Sequence, residues 1–244
     1  MKKTNNHRKT LSLIEKTWRF NDTVAENFDQ HVNQSIPHYE DLQNYLVQLS
    51  EWFLKDDAVI YDLGCSTGAT IEKILKLNIS TKYKIIGIDN NQKMLDLARQ
   101  KLHKLKNNDV EIEFRNIDLT ANIEFEKSNL FYSVLLFPFL NYEKREAILK
   151  EIYSSLEVGG ALISVEKVRS KSSHFEDILN QLYFDFKLEQ ELTEEEILSK
   201  AKSLRSSMYL FDEQTVFKSL NDCGFKEYEV FFKCFNFIGY IAIK

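Results

Sequence analysis

The stretch YDLGCSTGAT, Tyr61 to Thr70, constrains this chain more than any other. It completes the apolar, β-branched run AVIYDL, which starts at Ala58 after a Lys-Asp-Asp turn. A short apolar run between turn signals predicts a buried strand. Gly64 and Gly68 then allow positive φ or a close approach of backbone to a ligand, and a helix is expected from about Ala69. The open N–H groups at a helix start offer donors and the positive end of a dipole. Strand, glycine turn and helix in this order form the nucleotide corner of an open α/β sheet.

The rest of the chain repeats the alternation. IEKILKL reads as a helix, Lys84–Asp89 (KIIGID) as a strand, and NQKMLDLARQKLHKL as a helix with Met94, Leu95, Ala98, Leu102 and Leu105 on one stripe. VEIEFRN and LFYSVLLF read as strands, REAILKEIYSSL as a helix and Gly159–Lys167 as another strand. Such alternation predicts a parallel sheet covered by helices on both faces. After Lys167 the pattern changes to two polar helices between Ser170 and about Leu204. The second carries the acidic run Glu194-Glu195-Glu196, a solvated face, and Thr193 with Glu196 fits a capping box. A helix, DEQTVFKSLNDCGF, and two strand-like stretches around Cys234–Asn236 close the chain, with Phe231, Phe232, Phe235 and Phe237 expected to pack the sheet. A helix followed by two adjacent strands is the usual end of the seven-stranded methyltransferase fold. The expected fold is therefore α/β: a class I methyltransferase, a Rossmann-like three-layer sandwich with a seven-stranded, mostly parallel sheet. An N-terminal helical cap precedes the sheet and a helical insert, about residues 170–210, precedes the last two strands. Residues 1–20 read as a flexible arm and 21–244 as one ligand-binding domain, whose first part, Asn21 to Leu54, is helical with Phe28, Tyr39, Tyr45, Trp52 and Phe53 as anchors.

Composition narrows the function classes. The net charge of −5 argues against a direct grip on nucleic acid, which needs a surface that neutralises phosphates. The three cysteines, Cys65, Cys223 and Cys234, have neither zinc-ligand spacing nor an even count for a disulfide framework, so no metal is expected and a reducing, cytoplasmic compartment is. No signal peptide and no apolar run of membrane-spanning length is read.

The glycine turn is not a P-loop, because no Gly-Lys-Ser/Thr follows, and its alternating Gly64, Ser66 and Gly68 do not make the dinucleotide GxGxxG. Asp62, Gly64, Cys65, Ser66 and Gly68 are the candidate ligand contacts of the turn. Asp89, at the end of the second strand, is placed to accept the ribose hydroxyls of an adenosine, with Asn90 beside it. Asp118, after the third strand, is placed for the adenine amine, with Leu119 next to it. Together with the terminal strands, these acids favour S-adenosylmethionine (SAM) over a nicotinamide dinucleotide, an argument from fold. Cys65 has no basic sequence neighbour and is read as a small residue of the turn. His38, beside Tyr39, is a general-base candidate, with a surface or structural histidine as the alternative; Glu166, at the end of the fifth strand, is a catalytic candidate that positions a substrate or else binds the neighbours of Lys167; His31, His103 and His174 are scattered.

The stretches FNDTVAENF, QSIPHY, VIYDLGCSTGA, KIIGIDN, LEVGGALISVEK, DFK and FFKCFNF resemble those of the carboxy-S-adenosylmethionine synthases, from about Phe20 to the C-terminus. The nucleotide-site stretches are common to many methyltransferases; SIPHY and CFNF are more particular. The resemblance implies a homodimer that uses SAM and prephenate and converts the methyl group of SAM to carboxymethyl, for later use by a partner enzyme on tRNA wobble uridine. It also implies ligand contacts at Tyr39, Gly64, Cys65, Ser66, Asp89, Asn90 and Asp118. Two positions depart from the family pattern. The fourth-strand end, SVLLFPF, has no Asn, and Ala201 falls where the family has an Arg that pairs with the extra carboxylate. Lys200, Lys202 and Arg205 lie nearby as substitutes, although a lysine does not reproduce the bidentate fork of an arginine. Three readings follow: methyl transfer from SAM to a small-molecule acceptor, placed first because of the departures; carboxy-SAM synthesis; and SAM binding without catalysis as a partner protein. The fourth-strand end carries neither an Asn-Pro-Pro-Tyr nor a Pro-Cys motif, which disfavours methylation of amino groups or of cytosine.

Overall fold

The computed structural model describes residues 28–77, 81–105, 109–205 and 207–244. The expected arm, 1–20, and the first residues of the expected cap, 21–27, lie outside the described residues. Strands β1 (Ala58–Leu63), β2 (Tyr83–Asp89), β3 (Val110–Asn116), β4 (Ser128–Val134) and β5 (Leu156–Lys167) run parallel. β6 (Glu227–Cys234) and β7 (Phe237–Ile243) form the closing hairpin, and β7 pairs antiparallel with β5. The sheet order is β3-β2-β1-β4-β5-β7-β6. Chain direction therefore reverses its spread between β1 and β4, the switch point at which an open α/β sheet leaves a crevice. Register places Leu63 opposite Ile88 on one side and Ser133 on the other, so β1, β2 and β4 end level beside that crevice.

Alternation along β1 divides the core. Ala58 and Ile60 face a layer that includes α2 (Tyr39–Ser50), α3 (Ala69–Leu75) and α4 (Gln92–Leu102) through Leu42, Leu46, Ile71, Ile74 and Leu95. Tyr61 and Leu63 face the opposite layer, α5 (Tyr142–Ser155) and α8 (Glu213–Cys223), through Ile148, Leu149, Ile152, Val216 and Leu220. Strands buried on both faces explain the near-continuous apolar runs in the sequence. Helix starts are set by side chains: Asn91 accepts from the N–H groups of Lys93 and Met94, and Asp212 from that of Thr215. The Thr193–Glu196 capping box is formed at the head of α7 (Glu194–Leu204).

The expected strand LFYSVLLF is shorter than read. β4 stops at Val134; Leu135 takes a left-handed conformation, φ 60°, while its N–H still donates to Val165 O at 2.8 Å. Pro138 then sits in a single 3-10 turn, Phe137–Phe139, since proline cannot continue a ladder. Below this turn lies a buried ion pair. Arg145 of α5, 1% exposed, donates to both oxygens of Glu166 at 2.5 and 2.7 Å, and Tyr240 donates to the same carboxylate at 2.5 Å. The guanidinium stacks against Phe137, 4.8 Å from its centroid. Breaking such a pair by removing one partner leaves a buried charge and costs roughly 3–5 kcal/mol. Glu166→Gln is expected to lower the urea midpoint by that equivalent, whereas an Arg145→Met, Glu166→Met double variant is expected to recover most of it.

Candidate functional site

One cavity of about 350 Å³ opens at the carboxyl ends of the parallel strands. Its floor is built by the glycine turn. Gly64, φ 71°, leaves room at its Cα only because it lacks a Cβ, which would stand 3.2 Å from Leu136 Cδ1. The N–H groups of Gly64 and Cys65 both bond to Ile88 O, at 2.8 and 2.9 Å, and tie the turn to β2. Ser66, φ 51°, aims its N–H at Asp89 Oδ2, 2.9 Å away, and Asn91 N–H reaches Oδ1 at 2.9 Å. Each carboxylate oxygen of Asp89 accepts one of these bonds, and the residue lines the cavity. Burial pushes the Asp89 carboxyl upward, against the pull of these backbone donors. Asp62, at the end of β1, is 2% exposed, and its Oδ2 has no hydrogen-bond partner among the described residues. Burial, with Asp89 nearby, raises its carboxyl to about 7. Asp118 is at the exposed rim, where its Oδ1 accepts from Thr120 N–H at 2.8 Å, and Leu119 is buried behind it.

The cavity is roofed by α1 (Phe28–Ser35), with Phe28, His31, Val32 and Ser35 in the wall. Four hydrogen bonds hold α1 down. Thr67 Oγ1 and Lys101 Nζ donate to Asp29 at 2.5 and 2.6 Å, Gln34 donates to Gln190 O at 3.0 Å, and Tyr183 donates to Ser35 O at 2.8 Å. Tyr183 and Gln190 belong to and follow α6 (Ser173–Glu189), so the roof bridges the glycine turn and the insert. At this far end the wall includes Lys167, Tyr183, Lys200 and Phe237. His31 and Lys200 share a hydrogen bond; burial, then the Lys200 charge, lowers the imidazole to about 4, so neutral His31 accepts and Lys200 donates.

The residues expected at the site therefore separate. Tyr39, Asp62, Gly64, Cys65, Ser66, Asp89, Asn90, Asp118, Leu119 and Lys200 line one cavity. Gly68 does not: it caps α3 with φ 74°, and a Cβ there would stand 3.0 Å from Leu102 Cδ1, so its smallness serves helix packing. His38 is exposed, left-handed and 3.6 Å from Asp41, outside the cavity wall, because α2 begins at Tyr39 and turns inward only from there. Glu166 is occupied by Arg145 beneath the sheet edge. Lys202 and Arg205 are exposed and outside the wall, since one side of α7 alone faces inward. Cys65 is buried and its thiol is pushed well up by burial, then by Asp62 and Asp89, which excludes a ready thiolate. No local pattern marks His31, Lys167 and Tyr183 as site residues; only the folding of α1, β5 and α6 onto one another unites them.

The methyltransferase-domain family model matches residues 60–160. The chain is 35% identical over 231 residues to the carboxy-S-adenosyl-L-methionine synthase of Sulfurimonas denitrificans, covering 95% of this chain and 96% of the relative. It is 32% identical over 231 residues to the synthase of that name from Staphylococcus epidermidis, covering 93% and 97%. The chain belongs to the carboxy-S-adenosyl-L-methionine synthase family. As a member of this synthase family it is a SAM-dependent transferase of the methyltransferase fold. Magnesium protoporphyrin IX methyltransferase from Synechocystis PCC 6803, solved with bound SAH, superposes with a TM-score of 0.65 at 15% identity over 92% of this chain and 96% of that one. That likeness shows the same fold over 92% of the chain.

Asp62 supplies a pH-dependent prediction. Its carboxyl ionises near 3.8 when unfolded and near 7 when folded. The folded state therefore carries a penalty that grows as pH rises through this window and is complete above it. Asp62→Asn is expected to stabilise the ligand-free protein by up to about 4 kcal/mol at pH 8, at 1.36 kcal/mol per pKa unit, and by little at pH 4. Urea melts at the two pH values check it.

Proposed function

We propose that the protein carboxylates the methyl group of SAM, taking the carboxyl from an anionic donor: a C–C bond to the carboxyl replaces one methyl C–H bond, the donor loses its own bond to that carboxyl, and the methyl proton passes to the decarboxylated donor; prephenate is the donor that the family resemblance implies. The observation that carries this reading is the pair of half-buried ammonium groups, Lys167 and Lys200, in the wall beyond the glycine turn. A neutral methyl acceptor has no use for two cations there, whereas a carboxylate does.

The residues fit the nucleoside. Asp89 keeps acceptor capacity for two ribose hydroxyls, Asp118 and Leu119 receive the base at the rim, and Gly64, Cys65 and Ser66 bring backbone close to the ligand. The unpartnered Asp62 oxygen suits the ammonium of the methionine end, with Tyr39 beside it. SAM supplies a sulfonium that activates its methyl group. The chain's part is to hold the donor carboxyl against that methyl and to exclude water under α1, a contribution of proximity and orientation. Lys200 stands in for the family arginine: α7 turns Lys200 into the cavity and leaves Ala201 exposed. A cytoplasmic homodimer completes the reading. The three cysteines form no disulfide, and α6 exposes Phe175, Ile178 and Leu182 along one side, with Phe184 and Leu188 along another.

Mass spectrometry after incubation with SAM and prephenate tests the reaction. A SAM heavier by one carboxyl group is expected. SAH with intact prephenate would return the reading to methyl transfer, and bound but unaltered SAM would favour a non-catalytic partner. Asp89→Ala is expected to weaken SAM binding by about 2 kcal/mol or more, from the lost charge-assisted hydrogen bonds; unchanged affinity in calorimetry would remove the ribose assignment. Leu182→Glu is expected to yield monomers in light scattering if α6 forms the dimer face.

A further inference from the structure

A hydrogen bond joins the roof to α7 within the cavity wall. His31 of α1 and Lys200 of α7, 169 positions apart, both line the cavity, and the ammonium donates to imidazole Nε2. Ser35 Oγ, one turn along α1 on a residue 3% exposed, stands 3.4 Å from the same nitrogen. With Nε2 accepting, the ring proton sits on Nδ1. The roof holds this ring in place: Asp29 fixes the first turn of α1 through Thr67 and Lys101, and Tyr183 fixes the last through Ser35 O. The capping box at Thr193 and Glu196 starts α7 one turn before Lys200. Anchored helices therefore set both ends of the bond.

A lysine is an imperfect substitute for an arginine, because its ammonium is a point charge on a flexible four-carbon stem. Its partner decides what it can do. A carboxylate would orient the ammonium but cancel its charge, and an apolar neighbour would leave the stem free to turn. An imidazole accepts one of the three N–H groups and so fixes the axis about which the others are arrayed, with the charge unchanged. We propose that His31 is a positioning residue for the extra carboxyl group of carboxy-SAM: its Nε2 fixes the direction of the Lys200 ammonium toward that carboxyl and leaves the ammonium its charge. This rests on the reading of Lys200 given above and deepens it. A histidine of the roof and a lysine of the insert then share the task that an arginine fork performs by its own shape.

The protonation states agree with this geometry. Burial, then the Lys200 charge, lowers His31 to about 4; Glu196 of α7 opposes the shift and Lys187 of α6 adds to it. Burial, then Lys187 and Lys167, lowers Lys200 to about 7. Burial keeps Tyr183 of α6, in the same wall, in its phenol form. Between about pH 4 and pH 7 the pair is therefore an uncharged imidazole and an ammonium. A bound carboxylate favours the ammonium and extends this window upward. Removing the imidazole takes an acceptor away from the charged form, so Lys200 is expected to lose its proton at lower pH without His31.

The test is calorimetry at pH 6 with carboxy-SAM and with SAH, which lacks the extra carboxyl. Wild type is expected to prefer carboxy-SAM, and Lys200→Met to lose that preference. His31→Met is expected to reduce the preference about fivefold or more, the worth of an oriented hydrogen bond to a charged group, with SAH affinity unchanged. His31→Gln, whose side-chain carbonyl is an uncharged acceptor, is expected to retain most of it. His31→Glu is expected to lose it, because its carboxylate binds Lys200 and cancels the charge. As pH is raised, the preference is expected to fall away earlier in His31→Met than in wild type. SAH affinity reports folding, and His31→Glu gives a second route if His31→Met does not fold. Wild-type preference in folded His31→Met or His31→Glu, or an equal loss of affinity for both ligands, overturns the positioning role. Where Lys200→Met has lost the preference, that result leaves the reading of Lys200 standing. If wild type shows no preference, or Lys200→Met keeps it, the reading of Lys200 fails and the role of His31 falls with it.

Discussion

Two hydrogen bonds to one carboxylate hold the site open. Ser66 N–H and Asn91 N–H each take an oxygen of Asp89, which ties the turn after β1 to the end of β2. Ser66 accepts a left-handed conformation for this contact, a strain that a non-glycine residue keeps only where its surroundings demand it. The turn then cannot fold back over the strand ends, and the crevice at the switch point stays available. α1 covers it from above, anchored through Asp29 to Thr67 and Lys101 on the turn side. The roof takes its position from that corner and meets the insert at its other end.

Charge is handled in two ways on either side of the sheet edge. Glu166 and Arg145 are both buried, yet each finds the other, and Tyr240 donates to the same carboxylate. That arrangement is structural, with Arg145 Nε alone of the guanidinium nitrogens left without a partner among the described residues. At the cavity the pattern is the reverse: Asp62 has an oxygen without a partner, and Lys167 meets an aromatic ring in place of an anion. Sites that bind charged ligands keep their desolvated groups incomplete, because a satisfied group has little left to offer. Stability is lost there and recovered on binding.

The family's departures gain a physical setting from α7. A helix advances by about 100° per residue, so neighbours cannot share a face. Lys200 faces inward and Ala201 outward. A compact ammonium offers no planar fork, so a single lysine fixes a carboxylate less firmly than an arginine does.

The strand-and-helix alternation, the turn at Gly64, the acids at the strand ends and the helix caps were all legible along the chain, because each depends on residues within a few positions of one another. Periodicity and capping are local, and so is the family pattern carried by the nucleotide-site stretches. What the linear order could not decide was orientation. His38 and His31 were equivalent as letters, but α2 leaves the first in solvent and α1 carries the second into the cavity. Glu166 occupies a strand end that suits a catalytic acid, but α5 delivers Arg145 to it from 21 positions earlier. Lys167, Lys187 and Lys200 come together only when the insert packs against the end of β5. Local physics is written in sequence spacing; the pairing of charges depends on which faces of distant elements meet, and that is settled by burial of the core between them.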